Sequence, residues 1–197
     1  MIVNWPERVW VNSPVRRWVQ HREAGFFKTQ RDMPTGGRFM EIGCGKGVGA
    51  RIIDAVFSPA TIDALDIDPE MITLARRKQK AWGLKSLRLL AGDAQHLPYK
   101  SASFDAVFNY GIVHHLEDWQ SGISEVARVL KPGGAFYFEE IYPPLYANPL
   151  FKRILDHPRE NRFHGPQYRA YLAECDLKLQ PGYKESRFAI LGIAVKG

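Results

Sequence analysis

A chain of 197 residues with 45% hydrophobic and 24% charged side chains can bury a substantial core, which excludes global disorder and makes one domain the simplest expectation. No apolar run reaches transmembrane length, and no charged stretch followed by an apolar one opens the chain, so a soluble, cytoplasmic protein is expected. The net charge of +6 admits an anionic partner, nucleic acid among them, but also serves plain solubility, and the two distant cysteines, Cys44 and Cys175, suit a reducing compartment.

Residues 1–37 form an aromatic, basic N-terminal extension. Asn12-Ser13-Pro14 is a helix start, with Ser13 as N-cap and Pro14 at the first helical position. Val15, Trp18 and Val19 follow at i, i+3 and i+4, a short apolar stripe with Arg16 and Arg17 on the other side. This predicts a helix packed on the sheet edge through that stripe, with a lid over a substrate pocket or a membrane-surface contact as the functional alternatives.

Arg38 to Ile42 reads as a strand that runs into Gly43-Cys44-Gly45-Lys46-Gly47-Val48-Gly49 and then a helix. Alternate glycines let the backbone turn sharply and approach a ligand, and the following helix aims its free N–H groups into the same place. A dinucleotide G-x-G-x-x-G frame from Gly43 meets Val48, whereas a frame from Gly45 meets Gly47 and Ala50, so a nicotinamide cofactor stays open. The second strand, Thr61 to Asp68, ends in acid. Asp66 stands about twenty positions after the first glycine, where a carboxylate can accept from a ribose diol. Asp68 with Pro69 reads instead as the cap of the next helix, about Glu70–Trp82, which stops at Gly83.

A third strand, Ser86–Leu90, leads to Gly92-Asp93-Ala94, where Asp93 either accepts from an exocyclic amine or caps a turn. The fourth strand, Phe104–Tyr110, is followed by Gly111-Ile112-Val113-His114-His115. A helix from Trp119 to Leu130 stops at Lys131-Pro132-Gly133-Gly134 before a fifth strand, Ala135–Glu140. Beyond it, about 141–170 reads as a proline-interrupted, basic insertion, with a short helix near Leu150–Asp156 and another at Gln167–Glu174, and two strands close the chain. This alternation predicts an α/β doubly wound, mostly parallel sheet of seven strands over residues 38–197, with ligands at the carboxyl ends of the strands.

Five segments, Glu41–Gly47, Leu65–Met71, Gly92–Pro98, Ser103–Val107 and Glu125–Gly134, stand in the order found in class I S-adenosylmethionine-dependent methyltransferases, and the chain resembles their type 11, ubiquinone-biosynthesis-like group. The resemblance implies a Rossmann-like fold and S-adenosylmethionine as cofactor. Gly43 and Gly45, with Cys44 between them, would pass under its methionine part, and Glu41 would order the loop and the amino group. Asp66 would hold the ribose, Ile67 would pack on the adenine, and Asp93 with Ala94 would meet its edge. Asn109 and Tyr110 would lie by the sulfonium and amino-acid end. Lys46 departs from the group, where serine or threonine is commoner.

Methyl transfer needs alignment and exclusion of water, and a base only where the acceptor must lose a proton. His114 and His115 are the candidate bases, and Glu139 and Tyr142 the candidate substrate contacts. No histidine or cysteine spacing predicts a metal site. A small-molecule acceptor is the primary expectation. An RNA or DNA methyltransferase is the second, although Asn109-Tyr110-Gly111 lacks the Asn/Asp-Pro-Pro-aromatic signature of base-amino methylation. A non-catalytic nucleotide-binding or NAD-dependent protein is the third.

Overall fold

The computed structural model describes residues 9, 11–33, 35–146 and 160–197. Helix α1 (Pro14–Gln30) precedes β1 (Arg38–Ile42), α2 (Val48–Phe57), β2 (Thr61–Asp66), α3 (Pro69–Trp82), β3 (Leu87–Ala91) and β4 (Phe104–Tyr110). A 3-10 turn at Val113–His115, α4 (Trp119–Val129), β5 (Leu130–Ile141), a single turn α5 (Pro143–Tyr146), α6 (Gly165–Glu174), β6 (Leu177–Leu179), β7 (Lys184–Glu185) and β8 (Ala189–Lys196) complete it. The sheet runs β3-β2-β1-β4-β5-β8-β6, parallel from β3 to β5 and antiparallel where β8 joins. This is the doubly wound α/β architecture read from the sequence, with the two-residue β7 paired to β8 as an eighth strand. The helix expected near 150–156 lies outside the described residues.

Local chemistry sets the element ends. The Ser13 hydroxyl accepts from the Arg16 N–H at 3.1 Å, and the Asp68 carboxylate accepts from the Glu70 N–H at 2.9 Å, each followed by proline in the first turn. Strand alternation then sorts side chains onto two faces. Phe39, Ala106, Phe108 and Tyr137 face α1, α2 and α3, where they meet Phe27, Ile53, Phe57 and Ile72. Met40, Ile42, Val107, Phe136 and Phe138 face α4 and α6, against Trp119, Ile123, Tyr168 and Leu172. Parallel register places Ile42 beside both Leu65 and Asn109, so the strand ends finish along one edge of the sheet.

The first face centres on aromatic contacts. Phe108 is fully buried, stacks on Tyr137 with centroids 4.6 Å apart and planes 5° apart, and meets Phe57 edge-on at 5.2 Å. Phe108→Ala is expected to remove about 3–5 kcal/mol of stability, read by denaturant unfolding; a loss well under 1 kcal/mol would show that this cluster does not anchor the sheet.

Candidate active site

The turn after β1 is built for close approach. Gly45 has φ +51°, and a Cβ there would meet nothing within 4 Å, so its backbone faces open space. Its N–H donates to Asp66 Oδ2 at 2.7 Å, while the Asp68 N–H donates to Asp66 Oδ1 at 2.9 Å. Asp66 at the end of β2 therefore fastens the loop after β1 to its own loop. Opposite lies Glu41, whose carboxylate occupies the space a side chain at Gly49 would need. Glu41 is 2% exposed, and its Oε2 has no hydrogen-bond partner among the described residues. Burial, against the N–H of Ala50 and aided by the charge of Asp66, pushes its pKa up to about 8. The buried Tyr110 hydroxyl is also without a hydrogen-bond partner among the described residues.

These groups line a crevice of about 120 Å³ with Gly43, Cys44, Lys46, Ile67, Met71, Ile112 and His115. Asp66, Ile67, Gly43, Ile112 and His115 also border a second hollow, which is floored by Leu65, Gly92, Asp93 and Ala94. Ile67 is 41% exposed between the two. Asp93 meanwhile caps a turn, accepting from the Gln95 N–H at 2.9 Å. Burial, then the charges of Glu41 and Asp66, holds the Cys44 thiol well above its ordinary pKa, so it is a packed residue rather than a nucleophile.

Helix α1 differs from its sequence reading. Val15 and Trp18 are exposed, and the buried side of the helix is Arg16, Glu23, Ala24 and Phe27. The Arg16 guanidinium donates to Glu23 at 2.9 and 3.1 Å, to the Tyr110 carbonyl at 3.1 Å and to Glu139 at 2.9 Å. Two carboxylates and a backbone carbonyl outweigh the apolar stripe. Asn12, Arg16 and Gln20 thereby enter the crevice wall, which the sequence reading missed; the polar run Arg16, Gln20, Glu23 along one helical face was its available signal.

Other expected site residues separate by strand parity. Glu139 turns toward α1 and meets Arg16, while Glu140 points to the opposite face and is fully buried. There its carboxylate accepts from Asn109 Nδ2 at 2.5 Å and the Val113 N–H at 2.7 Å, and lies 2.6 Å from His114 Nδ1. Burial leads in raising Glu140 to about 7. Asn109, expected beside the cofactor, instead stands behind the crevice in this network and contributes to neither hollow, because its strand position puts it on the α4 face. Of the two histidines, His115 lines both hollows and His114 faces Glu140. Tyr142 is buried, and its hydroxyl donates to Glu185 at 2.9 Å, away from the crevice. Among the described residues, no group of three or more histidine, cysteine, aspartate or glutamate side chains is gathered to hold a metal ion.

Residues 40–138 match the family described as a methyltransferase domain. A fatty-acid O-methyltransferase of Mycolicibacterium smegmatis is 39% identical over 120 residues, 61% of this chain and 42% of that protein. The phthiotriol/phenolphthiotriol dimycocerosates methyltransferase of Mycobacterium leprae is 33% identical over 138 residues, 70% of this chain and 46% of that protein. The chain thus spans about half the length of the curated relatives it matches. In fold, it superposes on a SAM dependent methyltransferase from Aquifex aeolicus with a TM-score of 0.76 at 17% identity, covering 98% of this chain and 100% of that one.

Arg16→Ala leaves the buried Glu23 beside the partly buried Glu139 without their cation and is expected to cost about 3 kcal/mol near pH 8. Glu23 is pushed up to about 7 from an ordinary 4.5, first by burial and then by Glu139. Its folded form binds the proton more tightly than the unfolded chain, so this stability is full below about 4.5 and lost as pH rises through about 7. Unfolding curves across that window should show a steeper decline for the wild type than for Glu23→Gln. Equal slopes would reject the upward shift of Glu23.

Proposed function

The chain belongs to the methyltransferase-domain family, and on that premise we propose that it transfers a methyl group from S-adenosylmethionine to a small, lipid-like acceptor. The observation that carries the proposal is Glu41: a buried carboxylate oxygen without a partner among the described residues, at the head of a crevice bordered by bare glycine backbone. An ammonium group placed there would supply the missing partner and stabilise the ionised acid. The residues present fit the cofactor in other respects. Asp66 lies between the two hollows, where a ribose diol would meet its carboxylate, and Ile67 offers an apolar surface to a flat base. Asp93 and Ala94 border the second hollow at the edge such a base would reach. Tyr110 and His115 border the first hollow on its β4 side.

Bound there, the cofactor supplies a methyl group on an electrophilic sulfonium, so the protein has little bond chemistry to do. Its own residues orient and exclude. Glu41 and the glycine backbone would hold one end and Asp66 the middle, while Arg16, Gln20 and Asn12 of the N-terminal segment line the near side, where they would limit water. In this reading the described part of the 1–37 extension, residues 11–33, acts as a cover on the domain that begins at 38. His115 is the group at hand to accept a proton from a hydroxyl acceptor, with His114 and Glu140 holding the turn behind it. A carboxylate acceptor would need no base. The lipid-like class rests on relatives named for fatty acids and for phthiotriols. A cytoplasmic site of action is supported by the free, mostly covered cysteines. No helix among the described residues is long and apolar enough to cross a membrane.

Calorimetry with S-adenosylmethionine, S-adenosylhomocysteine and NAD tests the cofactor, with binding expected for the first two; binding of NAD alone would overturn the reading. Asp66→Ala should weaken that binding by about 1–3 kcal/mol, and an unchanged affinity would remove Asp66 from the site. Glu41, at about 8 in the free protein, is largely protonated at neutral pH and ionises beside a cation. Binding near pH 7 should therefore release about one proton, measured as heat that varies with buffer ionisation enthalpy. That release should vanish well above pH 8 and in Glu41→Gln. Mass spectrometry of fatty acids and long-chain alcohols incubated with enzyme and cofactor should show methylated product; its absence from both would reject the acceptor class.

A further inference from the structure

Because α1 buries Arg16 and Glu23, it leaves Val15 and Trp18 on its outer side, 55% and 58% exposed, with Val11 just ahead of the helix at 43%. The Arg22 guanidinium lies 4.9 Å over the Trp18 ring and continues the ridge one turn on. A ridge of large apolar groups in water marks a surface that meets something. Its charge says what. The carboxylate of α1, Glu23, is turned inward onto Arg16, so the charges left outward on the helix are Arg17 and Arg22, Lys28 being paired with Asp32 at 3.5 Å. Lys46 and Lys78 extend this field toward the crevice; burial, then the charges of Lys46 and Arg17, lowers the Lys78 ammonium below its ordinary value. Val11 and Lys46 line the crevice itself.

Apolar and indole groups flanked by cations match the boundary layer of an anionic bilayer, where indole sits at headgroup level and arginine meets lipid phosphate. A second copy of this face would bring like charges together, which disfavours self-association. We propose that the outer face of α1 docks on an anionic lipid surface through Val11, Val15 and Trp18, with Arg17 and Arg22 on the phosphates, and so sets the crevice mouth beside the membrane. The proposal does not depend on which ligand the crevice holds.

Co-sedimentation with vesicles of phosphatidylcholine alone, and of phosphatidylcholine with phosphatidylglycerol, tests it at low and high salt. Binding is expected only where phosphatidylglycerol is present, and should weaken as salt rises. Val15→Ser with Trp18→Ser should lower the partition coefficient at least about tenfold, and Arg17→Glu with Arg22→Glu by about fivefold or more for each arginine. Both pairs should keep the wild-type thermal midpoint and cofactor affinity, since none of these four side chains lines the crevice. Failure to bind either vesicle at low salt, equal binding to both, or binding unchanged in both double variants would overturn the proposal. So would a dimer in light scattering that the Val15/Trp18 pair abolishes, since that assigns the face to a second copy.

Discussion

The site depends on a carboxylate that holds two loops at once. Asp66 accepts from the N–H of Gly45 at 2.7 Å and from that of Asp68 at 2.9 Å, joining the turns that leave β1 and β2. Gly45 sits at positive φ, outside any ladder, so its N–H takes a side-chain acceptor where no strand partner is on offer. Asp66 supplies it with a full charge, which makes the bond short and the loop definite. The crevice and the second hollow meet at this residue. Geometry and charge at the centre of the site thus come from one side chain, and altering it disturbs the loop as well as any ligand it holds.

Around that clamp the fold has made a place hostile to negative charge. Glu41, Cys44 and Tyr110 are all shifted upward, and burial is the leading cause in each. The ionised forms of Glu41 and Asp66 then penalise one another and the neighbouring thiol. Such a pocket disfavours an anion and favours a cation, whose arrival relieves desolvation and repulsion together. Gly49 is part of the same device, because only a residue without a side chain lets Glu41 lie against the start of α2.

How much was legible follows from how local each signal is. The strand–turn–helix around Gly43 to Gly49, the caps at Ser13 and Asp68 and the alternation of elements all rest on neighbours in sequence, and all stand in the structure. Asn109 and Tyr110 could not be told apart in this way. Both end β4, and it is the register, with Glu41 beside Phe108 and Ile42 beside Asn109, that sends Tyr110 to the crevice and Asn109 to Glu140. The same parity divides Glu139 from Glu140. The face of α1 was read inverted because counting apolar residues gives no weight to a partner 123 positions away, and that partner, Glu139, is what makes a buried Arg16 tenable.

That inversion has a physical logic. A buried ion pair adds little net stability after desolvation, yet breaking it is costly, so its main effect is to select one arrangement over its neighbours. Rotating α1 by one residue would carry Arg16 away from Glu139 and the Tyr110 carbonyl, leaving a partly buried carboxylate without its cation. The helix is therefore fixed about its axis more firmly than apolar packing alone would fix it. With the axis fixed, Gln20 must face the crevice, since it lies one turn from Arg16, and Val15 and Trp18 must face out. The exposed ridge and the crevice wall are thus two sides of one constraint: the charges that seat the helix over the site also decide which apolar groups the molecule shows to its surroundings.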